Sequence, residues 1–196
     1  MNFLLRTKLI AACAAGLFLV SGLNAADTYK IDPMHTSLMF SVRHLGLSNV
    51  KGHFDDFDGS LTLDNNAIVA ASATIQTKSI DTGVTPRDNH LRTPDFFDAT
   101  TYPVITFKTK SVEKNGDQYI LVADFTMRGV TKELRLPVTL RGPATDPWGK
   151  TRIGLEAHLD LNRKDYGINY SAALPTGVPA VADEVTVEIN AEAVKQ

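Results

Sequence analysis

The side chains most capable of chemistry crowd into one stretch, Ser79-Ile80-Asp81-Thr82-Gly83-Val84-Thr85-Pro86-Arg87-Asp88-Asn89-His90-Leu91. An arginine and an imidazole flanked by carboxylates can hold a phosphate or a carbonyl headgroup. The same residues also suit a self-contained capping network, with Asp88 accepting from Arg87 or from helix N–H groups and His90 closing the loop. Acid–base chemistry is a third use, with His90 or His44 as the base and Asp88 or Asp81 orienting it. His44, Asp81, Arg87, Asp88 and His90 are therefore the polar candidates, and residue types alone leave the choice among these uses open.

Two other constellations invite chemistry. Glu156, His158 and Asp160 alternate along one strand face, about 6.5 to 7 Å apart in steps of two residues, which suits ligands of one metal. The outward face of any polar strand has the same pattern. Asp55-Asp56-Phe57-Asp58-Gly59 has the acidic spacing of a calcium loop, but Phe54 stands where an oxygen ligand is needed and Asn65 where a carboxylate is needed. Nucleophilic catalysis finds no Gly-x-Ser-x-Gly elbow, and no spacing among His35, His44, His53, His90 and His158 selects a triad.

These residues must be positioned by strands. Leu38, Phe40 and Val42 alternate with polar neighbours, as do Tyr119, Leu121, Ala123, Phe125 and Met127. So do Leu134, Leu136, Val138 and Leu140, then Ile153, Leu155, Ala157, Leu159 and Leu161, and finally Val185, Val187 and Ile189. Period-two alternation marks a half-buried strand. Weaker strands are expected over Gly52–Leu63, Ile68–Lys78 and Val104–Glu113, with turns at Asp64-Asn65-Asn66, Asn115-Gly116-Asp117, Arg128-Gly129 and Asp146-Pro147-Trp148-Gly149. About eight long strands with one apolar face and no covering helices bury that face by closing into an antiparallel barrel. A two-sheet sandwich stays open. Eight strands enclose either a filled core or room for one small ligand. The connection from Lys78 to Tyr102 is far longer than an antiparallel hairpin requires. Its Leu91, Phe96 and Phe97 need an apolar surface, so it is expected to cap one barrel end with a turn or two of helix in Pro86–Phe97. A further turn is expected over Arg163–Ile168.

Residues 1–25 read as a cleaved leader. Arg6 and Lys8 precede the apolar run Leu9–Val20, and small residues lead to a cleavage point after Ala25 or Ala26. The run is too short to span a bilayer, and Cys13 precedes most of it rather than following it as in a lipoprotein box. Residues 26–196 are then one exported domain, expected in the periplasm without stable membrane insertion. Cys13, the single cysteine, leaves with the leader, so the mature chain has no disulfide or thiolate. The formal charge of −2 becomes −4 on losing Arg6 and Lys8. Scattered basic residues give no footprint for nucleic acid.

The chain resembles the YceI family of exported, lipocalin-like proteins. The resemblance rests on Ile31-Asp32-Pro33-Met34-His35-Thr36-Ser37, Phe40-Ser41-Val42-Arg43-His44-Leu45, Gly52-His53-Phe54 and Ser79-Ile80-Asp81-Thr82-Gly83. It continues through Arg87-Asp88-Asn89-His90-Leu91, Asp95-Phe96-Phe97-Asp98, Tyr102-Pro103-Val104-Ile105-Thr106-Phe107, Gly129-Val130-Thr131-Lys132, Asn162-Arg163-Lys164-Asp165-Tyr166-Gly167 and Asp183-Glu184-Val185. Arg128 departs from the pattern, since relatives often carry histidine before Gly-Val-Thr, and this puts any headgroup contact from that position in doubt. The resemblance implies an extended eight-stranded barrel whose tunnel holds a polyisoprenoid, a quinone or a similar fatty amphiphile, with no further cofactor. The expected role is a carrier without catalysis, in stress response or lipid and quinone trafficking. Leu38, Phe40, Val42, Phe107, Leu121, Phe125, Met127, Leu136, Val138, Ile153 and Leu155 are the candidate tunnel lining, or equally a solid core. A homodimer, and a membrane protein that donates or accepts the lipid, are compatible partners. The rival readings are an enzyme acting on an amphiphile through His90 or His44, and a metal-dependent stress protein built on Glu156, His158 and Asp160.

Overall fold

The computed structural model describes residues 26–196 except Asp117. The expected leader lies outside the described residues. The chain forms β1 (Asp27–Ile31), β2 (Ser37–His44), β3 (Ser48–Phe54), β4 (Phe57–Asp64), β5 (Ala67–Gln76), β6 (Ile80–Asp81), α1 (Thr85–Leu91), β7 (Val104–Asn115), β8 (Gln118–Met127), β9 (Val130–Thr145), β10 (Thr151–Asn162) and β11 (Val181–Lys195). All pairings are antiparallel, and β1 bonds to both β4 and β11, which closes the sheet. Closure rules out the sandwich.

Eight walls emerge once two interruptions are seen. β1 and β2 form one wall strand broken by a 3-10 turn at Pro33–His35, where Asp32 accepts from the Met34 N–H at 3.1 Å. β3 and β4 form another, bent at Asp55-Asp56. The expected single strand over Gly52–Leu63 is thus two. At the bend the Asp55 N–H turns to the Ser79 carbonyl at 3.2 Å, and the Asp56 carbonyl accepts from Gln76 at 2.8 Å. β5 stops at Gln76, short of Lys78, because the chain tightens into a 3-10 turn at Thr77–Ser79. Another such turn falls at Arg163–Tyr166, within the expected segment.

Turn chemistry follows backbone need. Asn65 and Asn66 both adopt positive φ between β4 and β5, as a type I′ hairpin requires. Gly129 takes φ 72°, and a Cβ there would lie 2.6 Å from the Tyr102 ring. That position tolerates no side chain.

The interior packs as two clusters. Tyr29, Leu61, Leu63, Ile68, Tyr119, Ile153 and Ala193 fill the end closed by β1. Phe96, Ile105, Met127, Tyr166 and Ile168 pack beneath the long connection, joined by Phe54, Phe97 and Phe125.

A charged clamp holds the β1 end. Arg152 donates to Asp32 at 2.7 Å, Asp146 at 2.8 Å and Glu192 at 3.2 Å. Bonds from Arg152 and His35 hold the Asp32 carboxyl down at about 2. A depressed carboxylate stabilises the fold above its unfolded value of 3.8, and that contribution is lost as pH falls through about 2. The shift corresponds to about 2 kcal/mol. Urea unfolding of the mature protein at pH 7, 4 and 2 is expected to show this loss mainly between the last two. Asp32→Asn should flatten that step, and an unchanged step in the variant would remove Asp32 as its source.

Candidate functional site

Between the two clusters lies a cavity of about 280 Å³, enclosed by residues from all eight walls and from the cap. Its lining is almost wholly apolar. β2 contributes Leu38, Phe40 and Val42; β7 contributes Phe107; β8 contributes Leu121, Phe125 and Met127; β9 contributes Leu136 and Val138; β10 contributes Leu155. Alternation aims these side chains inward, as their strands' register demands. Ile153 is different: it sits one step closer to the β1 end, wholly buried among Tyr29, Leu63 and Ala193, and helps fill the closed end without lining the cavity.

Leu91, Phe96 and Phe97 descend from the long connection and form part of the cavity wall. Phe97 meets Phe54 edge-on at 5.9 Å, and Phe54 meets Phe40 at 5.9 Å. The connection is therefore a cap, and its aromatic residues link it to β2 and β3.

The polar candidates stand elsewhere. None of His44, Asp81, Arg87, Asp88 and His90 lines the cavity. Asp88 is buried and accepts from the Thr82 N–H at 2.9 Å and from the Thr82 hydroxyl. Arg87 donates to the Thr82 hydroxyl at 2.7 Å and the Thr82 carbonyl at 2.8 Å. These bonds lock the start of α1. His90 pairs with Asp95 at 2.8 Å and packs edge-on against Phe96 and Tyr170. Asp81 accepts from the Gly83 N–H. His44 is exposed at the end of β2, beside Val181 and Ser48. Neither histidine borders the apolar chamber.

Glu156, His158 and Asp160 do share the outer face of β10, each turned to a neighbour. Glu156 takes both arms of Arg141 at 2.7 and 3.0 Å, Asp160 accepts from Thr186 at 2.6 Å, and His158 lies 3.9 Å from Glu188. Geometry instead gathers His53, Asp55 and Asp81 on the outer surface at the β3 bend, and Asp32, His35 and Glu192 around the Arg152 clamp. In the second group the Arg152 guanidinium already holds oxygens of both carboxylates, Asp32 and Glu192.

Sequence reasoning missed two arginines. Arg163 is 5 % exposed, lines the cavity, and donates to the carbonyls of Ala182, Ile168 and Val181 and to Asp183 at 3.0 Å. Burial pulls its guanidinium pKa down while Asp183 opposes the shift. Arg128 donates to the Gly167 carbonyl at 2.9 Å and the Pro94 carbonyl at 2.8 Å, tying the cap to the turn after β10. The residue that departs from the family pattern is thus a fastener. Both stand in turns, Arg128 between β8 and β9 and Arg163 in the 3-10 turn after β10, where residue type alone carries no signal of either role.

A closed eight-walled antiparallel barrel with an apolar chamber and an aromatic cap is the class of protein that the fold defines. Comparison with known proteins narrows the class. The model of the YceI-like domain matches residues 29–193, and the chain belongs to that family. It is 38% identical to Protein YceI of Shigella flexneri and of Escherichia coli O157:H7 over 196 residues, which is 98% of this chain and 100% of each relative. Among solved structures it resembles the Campylobacter jejuni YceI protein, with 31% identity, TM-score 0.68, and 79% of this chain and 90% of that one covered. Burkholderia cenocepacia BcnA shares the fold at 21% identity and TM-score 0.72, covering 83% and 98% of the two chains. A domain from Saccharophagus degradans described as polyisoprenoid binding matches at 19% identity and TM-score 0.63, covering 86% and 98%.

Proposed function

We propose that this protein is an exported carrier that holds one amphiphile of polyisoprenoid or quinone type, tail inward, without transforming it. The observation that carries the reading is the chamber itself: a closed wall lined by apolar side chains, roofed by Leu91, Phe96 and Phe97. Solid barrels bury their inward residues against one another; here two packed clusters leave space between them. The description of the Saccharophagus domain as polyisoprenoid binding agrees with an apolar, elongated guest. Export to the periplasm rests on the leader, and a shuttle between membranes is the use such a carrier would serve.

Energetics favour a tail-driven guest. Burying one CH₂ is worth about 0.8 kcal/mol, so each five-carbon unit contributes roughly 3 to 4 kcal/mol before ordering costs. Tail length is then read loosely, and discrimination falls to whatever polar contacts the head finds.

Native mass spectrometry with organic extraction, on mature protein exported by a bacterial host, tests the reading. A co-purifying species of polyprenyl or quinone mass near one per chain is the expected result. Apo protein that also fails to take up farnesol would overturn it.

A further inference from the structure

Two apolar tips stand side by side at the capped end of the barrel. The hairpin between β2 and β3 turns through Leu45-Gly46-Leu47, and Leu47 is 81% exposed. The connection leading into β11 folds back on itself. Ala173 bridges Pro179, the Ala180 N–H donates to the Ala172 carbonyl at 2.7 Å, and the Leu174 N–H donates to the Val178 carbonyl at 2.9 Å. Val178 is exposed at its tip. The Leu45 N–H donates to the Ala180 carbonyl at 3.0 Å, and a Cβ on Gly46 would lie 3.3 Å from Val178, so the tips touch. Residues 45–50 and 167–182 contain no charged side chain.

Basic residues lie just behind them. Arg43 and His44 end β2, and Lys51 stands two residues beyond Asn49, the partner of Arg43 on β3. All three are exposed, and among the described residues none enters an ion pair. On the neighbouring β11, Asp183 is held by Arg163 and Lys164, which leaves Glu184 as the uncommitted acid. The chamber reaches the same place, since Val42, Ile168 and Val181 line it. The wall there is incomplete: β3 meets β6 only at His53 and Phe54, so among the described residues 48–52 have no strand partner on their second edge.

The opposite end is built otherwise. Met34 and Trp148 are exposed there, but Arg152 is committed to Asp32, Asp146 and Glu192, and Lys195 to Asp27, leaving Lys150. The cluster around Tyr29 and Ile153 fills the barrel at that end.

We infer that the two tips are a docking surface for an anionic lipid bilayer, where the guest passes between membrane and chamber. Leu47 and Val178 enter the headgroup layer while Arg43 and Lys51 meet its negative charge, the pairing that interfacial binding needs. The 172–180 turn bonds its own backbone groups, which lowers the cost of leaving water. Few apolar side chains enter, so the contact is shallow and reversible. The passage of the guest rests on the carrier reading; the docking does not.

Flotation of the mature protein with vesicles of phosphatidylcholine alone, or of equal parts phosphatidylcholine and phosphatidylglycerol, tests the surface. Binding to the anionic vesicles is expected to be at least about tenfold tighter. Leu47→Ser should weaken it about tenfold, and Arg43→Gln and Lys51→Gln about fivefold each. Met34→Ser and Trp148→Ser should leave it unchanged. Farnesol uptake from solution, read by equilibrium dialysis, should be the same in Leu47→Ser as in the parent, while uptake from anionic vesicles slows. No flotation, no preference for anionic vesicles, or a loss in Trp148→Ser instead of Leu47→Ser overturns the surface. So does a dimer in sedimentation that Leu47→Ser dissolves, because the tips would then cover each other. Protein that floats but takes up no farnesol from either source overturns the carrier reading and the passage, while the docking surface stands. Circular dichroism confirms that these exposed substitutions leave the fold intact.

Discussion

Phe125→Asp is expected to destabilise the barrel by several kcal/mol, or to keep it from folding. Phe125 faces the cavity from β8 and meets Tyr166 edge-on at 5.4 Å. The substitution removes that aromatic contact and sets a carboxylate in an apolar chamber, where an unpaired charge costs several kcal/mol. Desolvation there raises the new carboxyl's pKa. The penalty therefore grows as pH rises above the unfolded carboxyl value, and the variant should be less stable at pH 7 than at pH 4. One residue earlier, Asp124 carries a charge on the outer face, exposed and 3.8 Å from Lys110. The opposite fates of neighbouring positions follow from side chains alternating across a strand. Urea unfolding against pH checks the prediction; a variant as stable as the parent at pH 7 would mean that the inward register of β8 is wrong.

That register was readable in the sequence, and so was a barrel, although a two-sheet sandwich fits the same alternation and only the pairing of β1 with both β4 and β11 excludes it. Tyr119, Leu121, Ala123, Phe125 and Met127 repeat at period two over a strand long enough to make the pattern unambiguous. β1 was not readable, because five residues hold too few alternations, although its Tyr29 is among the most buried side chains and its pairing closes the sheet. The bend at Asp55-Asp56 was hidden for a related reason. Phe54 and Phe57 on either side of it both face apolar surroundings, so the run reads as one irregular strand. Whether inward residues fill or merely line the interior is a question of three-dimensional volume. Ile153 and Leu155 have the same sequence signature, yet the first closes the barrel end and the second lines the chamber.

The polar site was less legible. Arg87, Asp88 and His90 stand out in sequence by density of charge, but a seven-residue helix in a cap needs its own network, and Thr82 consumes both Arg87 and Asp88. The turn at Pro33–His35 and the bend at Asp55-Asp56, far apart in the chain, fall opposite each other in the wall, and only pairing register reveals that.

Arg163→Met should cost about 3 to 5 kcal/mol, because each buried acceptor left without its donor costs about 1 to 3 kcal/mol. Four acceptors lose their donor: the carbonyls of Ile168, Val181 and Ala182, and the Asp183 carboxylate. Lys164 still reaches Asp183 at 2.8 Å, so the charge is not abandoned, and the loss should come mainly from the carbonyls. Methionine fills much of the volume, which limits the cavity contribution. Because the arginine ties the turn after β10 to the start of β11, hydrogen exchange should rise most over residues 163–183 and least at the β1 end. Urea unfolding checks the size of the loss, and an Arg163→Met protein as stable as the parent would mean that the buried guanidinium is not a net tie.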